Sequence, residues 1–253
     1  MSSRKITLLG ILVVISIGIM FQLTKALSTD PAGMQSVTEG VSSSFNGSLY
    51  EPGNTSAQAG NITQLQLTAV GPTKYWQGYY GEITGVIKLE DATGNVLYNW
   101  SDTEPQGQIL ASISSSITWA DVDCMDGAGD VTVATEEAYY NINTADSDGI
   151  SETFTASNHP DFVISGNTIT GCDTAWTMVN GASQQARFPM ILLEDDTNDY
   201  GVYATFIENR DVGNSTDVAG FDGNTHDFQF MVPENGTNSN TDLTTYYFWV
   251  IMS

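Results

Sequence analysis

The sequence predicts an all-β protein: a single antiparallel β-sandwich of jelly-roll or Ig-like type, preceded by an apolar N-terminal helix and a flexible stalk. Three observations lead there. Short runs of alternating apolar and polar residues recur through residues 61–253, as in strands with one buried face. Turn dipeptides separate them at Gly94-Asn95, Asp126-Gly127, Asp148-Gly149, Gly166-Asn167, Asn180-Gly181, Asp222-Gly223 and Asn235-Gly236, all of which tolerate the positive φ of tight turns. Beyond the first 26 residues no convincing apolar run at i, i+3, i+4, i+7 occurs, so helix is expected to be minor.

Taken in order, residues 1–26 form an export address. Arg4 and Lys5 precede an 18-residue apolar run, Ile6 to Leu23, and small residues follow at Thr24 and Ala26. That is the pattern of a secretory signal peptide cleaved after Ala26. The run is also near the length that spans a bilayer, so an uncleaved N-terminal membrane anchor is the alternative. Both place the remainder outside the cell, since no second apolar run of that length follows. Residues 27–60 are rich in Ser, Thr, Gly and Asn; they bury too little apolar area to offset ordering entropy and read as a flexible, glycosylatable spacer or stalk. Residues 61–253 read as one β-sandwich domain, because no second linker interrupts them.

Within that domain strands are expected at 63–70, 79–89, 96–100, 109–119, 131–133, 137–142, 151–156, 162–164, 168–170, 175–179, 187–193, 200–209, 225–232 and 244–252. In 81–89, Ile83, Ile87 and Leu89 alternate with Glu82, Thr84 and Lys88, which describes a sheet with one wet face. The last strand, Tyr246-Tyr247-Phe248-Trp249-Val250-Ile251-Met252 at its core, is apolar on both faces. Exposed, it would aggregate, so it is expected to be central or covered by a partner.

Charge excludes some partners. After the leader there are four basic residues against thirty acids, a net of −26, which repels phosphate backbones and anionic lipid surfaces. Nucleic acid is therefore not an expected partner, and membrane contact is left to the N-terminal segment. Such a surface suits a salty medium and attracts cations. The two cysteines, Cys124 and Cys172, are expected to form one disulfide, as an even count in an exported chain favours. Asn-X-Ser/Thr acceptors stand at Asn46, Asn54, Asn61, Asn99, Asn214 and Asn235, three of them at or before the start of the folded domain, where a glycan is easily accommodated.

The densest acidic loop carries Asp121, Asp123, Asp126 and Asp130 around glycines. Calcium takes six to eight oxygens at flexible spacing, so these four are candidate calcium ligands, although the loop does not follow the EF-hand pattern. Residues 146–149 and 194–199 are weaker candidates, and turn chemistry alone accounts for such residues as well. His159 and His226 each stand near an aspartate, but no nucleophile motif or His-Glu-X-X-His set accompanies them, so no catalytic residues are assigned. Tyr75, Trp76, Tyr79 and Tyr80 are candidates for stacking on glycan rings, or else for filling the core.

The runs KYWQGYYGEITG (74–85), GNVLYNW (94–100) and THDFQFMVPENG (225–236), the last ahead of Tyr246-Tyr247-Phe248, resemble a group of exported archaeal β-rich cell-surface proteins of mostly unassigned role. The resemblance implies an extracellular surface protein and supplies no catalytic residues. It also invites comparison with archaeal extracellular filament subunits, which place a β-sandwich after an apolar N-terminal segment. Here Ile6 follows Lys5 directly, where a pilin-type leader has Gly or Ala, which speaks against a pilin-type helical core.

The expectation is a non-enzymatic, acidic, glycosylated structural protein of an envelope layer, filament or adhesion system. Its partners would be other copies or other surface proteins, with the spacer able to donate a strand to a neighbour's sheet edge. A carbohydrate-binding module using the aromatic residues is the alternative. An exported acid hydrolase is a third reading that no constellation supports.

Overall fold

The computed structural model describes residues 30–102, 105–127, 129, 131–181, 183–208, 218–235 and 243–252. The leader, 1–26, lies outside the described residues, as do Asp130 and Asn214. Among the described residues no helix is long and apolar enough to cross a membrane.

The protein is all-β and antiparallel, with little helix. Thirteen strands are described: β1 (Ala32–Gly33), β2 (Trp76–Gly81), β3 (Gly85–Glu90), β4 (Val96–Asp102), β5 (Gly107–Ser112), β6 (Val122–Cys124), β7 (Phe162–Ile164), β8 (Asn167–Ile169), β9 (Thr174–Val179), β10 (Ser183–Asp195), β11 (Tyr200–Ile207), β12 (Phe228–Pro233) and β13 (Tyr247–Met252). Two short helices, α1 (Val133–Tyr139) and α2 (Ile150–Thr153), interrupt them.

A seven-stranded sheet is the centre, in the order β1-β13-β5-β11-β10, with β6 and β9 sharing the far edge of β10. Register decides which residues share a face. Leu192 pairs with Tyr203 and Tyr203 with Ala111, whereas their neighbours Leu193, Val202, Ala204 and Leu110 point to the other side. Both faces are buried. Ala111, Met190, Leu192 and Tyr203 pack with Phe230 and Val232 of the β2–β12 ribbon and with Tyr140 and Ile142 around α1. Leu110, Ile191, Leu193, Val202 and Ala204 pack with Phe162, Ile164 and Ile169 of the β7–β8 hairpin. Continuous apolar runs such as Met190-Ile191-Leu192-Leu193 are what a strand covered on both faces requires. The β9–β10 hairpin turns on Asn180-Gly181, both at positive φ (53° and 59°), the backbone that a tight hairpin between right-twisted strands needs.

The structure departs from the sequence expectations at several elements. Strands expected at 131–133 and 137–142 give way to α1. Thr132 caps it: its hydroxyl accepts from the Thr135 amide while the Thr135 hydroxyl binds back to the Thr132 backbone, a reciprocal cap that outweighs the β-propensity of Val131 and Val133. The 151–156 strand is replaced by α2, whose first turn meets the Glu137 carboxylate, which accepts from the Ser151 amide (2.9 Å) and hydroxyl (2.8 Å). The expected 79–89 strand divides into β2 and β3 at Glu82–Thr84, where the Ile83 amide donates to Asp227 Oδ2 at 2.6 Å. Residues 63–70 form no strand. The terminal strand β13 is flanked on both sides, by β5 and by the two-residue β1, which pairs Ala32 with Val250 and Gly33 with Trp249 and is the last strand on that side among the described residues. The start of the spacer thus covers part of an apolar edge in the same chain.

From Gly33 to Lys74 the backbone crosses the surface with one short 3-10 turn, Gly47–Leu49, and Tyr75 is the first buried residue after Pro31. The packed body begins at Tyr75 rather than at residue 61.

Candidate functional site

The least protected part of the fold is the β3–β4 hairpin. Among the described residues its strands pair with each other and with no other strand. Register puts Ile87 opposite Trp100 and Leu89 opposite Tyr98, an apolar stretch that ends at the Gly85–Asp102 pair on the same face; Lys88 opposite Asn99 and Val86 opposite Ser101 make the other face largely polar. The apolar four are 49–58% exposed, with the Tyr98 and Trp100 rings 4.8 Å apart. Asp91 closes the turn: its carboxylate accepts from the Thr93 and Asn95 amides, each at 2.9 Å, and from both side chains. Those donors, Asn95 foremost, hold the Asp91 carboxyl well below the usual range. The hairpin is therefore well closed but uncovered, although two strands alone are marginal in water and apolar faces of this kind mark contact sites.

Nearby in sequence, residues 62–70 carry Leu65, Leu67 and Ala69 alternating with Gln64, Gln66 and Thr68. Ile62, Leu65, Leu67 and Val70 are all exposed, Leu67 by 84%. This is strand sequence without a strand partner.

The acidic loop is divided in space. Asp121 ends a 3-10 turn and accepts from the Thr197 hydroxyl at 2.6 Å. Asp123 lies on β6 directly opposite Glu194 of β10, and Asp126 follows in the next turn. Asp130 lies outside the described residues. Among the described residues no three His, Cys, Asp or Glu side chains converge to hold a metal ion. What the fold does bring together is a set of like charges around Glu194. Burial, then the neighbouring Asp196 and Asp123 carboxylates, push the Glu194 carboxyl up to about 7, against a weaker opposing hydrogen bond from the Val131 amide (3.2 Å). The adjoining 194–199 segment serves as a turn, with Asp195 accepting from the Thr118 and Thr197 amides and from Asn198 Nδ2.

A raised carboxyl lowers stability as pH increases, because the folded state holds a proton that the unfolded chain releases. The Glu194 contribution is complete below pH 4.5 and is lost as pH rises through about 7. Replacing Glu194 with Gln is expected to flatten the stability profile between pH 5 and 8, gaining about 1–2 kcal/mol at pH 8 once solvent screening is allowed for. Urea titrations at the two pH values measure this, and an unchanged difference between them would show that Glu194 titrates normally.

A second buried carboxyl sits under the same face of the sheet, against Gly201 and Tyr203. The Tyr203 hydroxyl donates to Glu136 Oε1 at 2.8 Å, the Tyr140 and Tyr246 hydroxyls are 2.7 Å apart, and Tyr246 donates to the Pro233 carbonyl. Burial raises Glu136 and, more strongly, Tyr203. No signal in the sequence marked this network, because α1 was read as strand.

The four candidate stacking residues do not share a face. Tyr75 is buried and donates to Asp146 at 2.6 Å, a bond that pushes its hydroxyl up to about 12. Trp76 donates its indole N–H to the Asp148 carbonyl and leans on Phe154. Tyr79 and Tyr80 are neighbours on β2 and point to opposite sides: Tyr79 meets Phe248, while Tyr80 meets Phe221 and His226. Both histidines have structural partners. His159 is buried, accepting from the Cys172 amide through Nε2 with Nδ1 beside the Pro160 carbonyl. His226 lies 2.9 Å from Asp222. Of the glycan acceptors, Asn46, Asn54, Asn61 and Asn99 are exposed, and Asn235 is half-buried.

No protein-family model, curated protein or solved structure matches this chain.

Proposed function

We propose that this chain is a non-enzymatic structural protein of the cell surface, a glycosylated, sandwich-type β domain on an N-terminal stalk that associates with further copies of itself. The observation that carries this reading is the β3–β4 hairpin, a preformed ribbon with an uncovered apolar face in a strongly acidic chain. Engagement of both histidines in structural contacts favours a non-catalytic role. The leader-like N-terminus, exposed acceptors at Asn46, Asn54, Asn61 and Asn99, and the resemblance to exported archaeal surface proteins support the location.

A second reading, glycan binding, is favoured by the cluster of Tyr80, Phe221 and His226, two of whose rings are substantially exposed. Electron microscopy of protein recovered from the cell-surface fraction, with and without chelator, separates the two. Ordered filaments or lattices are expected, loosened by chelation if calcium stabilises the subunit. Dispersed monomers in both conditions would overturn the structural reading and bring glycan binding forward.

A further inference from the structure

We propose that copies assemble head to tail by strand donation: residues 62–70 of one molecule pair with a free edge of the β3–β4 hairpin of the next, with Leu65 and Leu67 continuing its apolar face. This rests on the self-associating reading above and names its interface.

Four observations converge on it. Residues 62–70 have the period-2 pattern of a strand with one apolar side, yet they are exposed and unpaired. The hairpin has the complementary defect: its outer backbone edges pair with no other described strand, and Ile87, Leu89, Tyr98 and Trp100 lie uncovered on one side. A third strand carrying Leu65 and Leu67 turns a marginal ribbon into a three-stranded sheet whose neighbouring apolar side chains pack against one another.

Charge selects the occupant. Copies of a chain with net charge −23 repel one another. Residues 52–73 nevertheless carry no ionisable side chain, so the donated stretch brings no carboxylate to the hairpin, where Ile87, Leu89, Tyr98 and Trp100 share their face with Asp102 at the far end. The glycan acceptor Asn99 lies on the other face of the hairpin, opposite Lys88, and Asn61 lies just outside the donated stretch.

Geometry sets the order. Donor and acceptor leave the body at opposite ends of β2. At one end Thr73 Oγ1 and the Lys74 amide both bind the Asp148 carboxylate; at the other the Ile83 amide binds Asp227. The exits are separated by a six-residue strand, roughly 17 Å. When the donor and the acceptor of one molecule engage two different neighbours, the contacts are heterologous and propagate into rings or filaments.

The test uses the mature full-length chain in about 1 M NaCl, where the acidic surface is screened. One variant combines Leu65→Asp with Leu67→Asp; another combines Ile87→Asp with Trp100→Asp. All four positions lie outside the packed body, and matched melting curves check that the fold survives; Gln66→Pro, which removes a ladder donor without adding charge, is a second donor variant. Sedimentation velocity is expected to show wild-type polymers, a drop of about tenfold or more in the assembled fraction for each variant alone, and one-to-one pairs when the two Asp variants are mixed. Pairs form because each retains the half the other has lost. Polymerisation of both donor variants at the wild-type level would overturn strand donation while leaving self-association intact. Monomeric wild type at all concentrations would overturn self-association itself.

Discussion

Replacing both Cys124 and Cys172 with alanine is expected to lower the unfolding free energy by about 4 kcal/mol. The bridge closes a loop of 48 residues, and that length sets the chain entropy removed from the unfolded state. Its placement adds a local argument. Cys124 ends the short edge strand β6, which pairs with β10 over three residues, and Cys172 follows the β7–β8 hairpin that covers one face of the sheet. The bond therefore ties an edge strand to the layer packed on it. For a domain of this size the melting temperature is expected to fall by on the order of 10 °C. Denaturant titration of the double variant measures it, and a loss below about 1 kcal/mol would mean that the unfolded chain is already restrained.

The second large effect is expected at Gly107. This residue opens β5 at φ +132°, and a Cβ there would fall directly on the Ile251 carbonyl oxygen of β13, a backbone atom that no side-chain rotation can move aside. Gly107→Ala combines backbone strain with separation of the two strands, at a cost on the order of 3 kcal/mol or more. The damage should be directional. On its other side β13 is paired with β1 at two residues only, so amide exchange is expected to quicken across β13 before it does in β10 or β11. Gly78→Ala makes the contrast: nothing lies within 4 Å of its Cβ position, and the substitution is expected to be near neutral. Equal destabilisation by both would show that the β5–β13 approach is looser than described.

Much was legible in the residues alone. The all-β class followed from alternation and turn dipeptides, because both act over a few residues whatever surrounds them, and β7, β8, β9 and β11 lie close to their expected positions. The disulfide followed from having two cysteines in a chain whose first residues read as a leader. Composition likewise marked residues 27–60 as too polar to pack, and of these residues 34–60 hold none that is buried. Where local signals competed, the structure had to decide. Val131 and Val133 read as strand until the Thr132–Thr135 cap tipped them into α1. Residues 62–70 read as strand because alternation reports a capacity to pair, whereas pairing needs an edge within reach, which the described body does not bring to them.

The candidate sites divide along the same line. By itself the sequence determined which residues could serve: acids dense enough for a cation, aromatics numerous enough for a glycan, acceptors in exposed positions. Only the tertiary structure decided which of them meet. It placed Asp123 against Glu194 rather than in one ring with Asp121, sent Tyr79 and Tyr80 to opposite faces of β2, and lined Ile87, Leu89, Tyr98 and Trp100 along one side of an uncovered ribbon. The physical reason is that periodicity and charge are properties of a few consecutive residues, whereas a site depends on strand register and layer order, which are set by contacts between residues tens of positions apart.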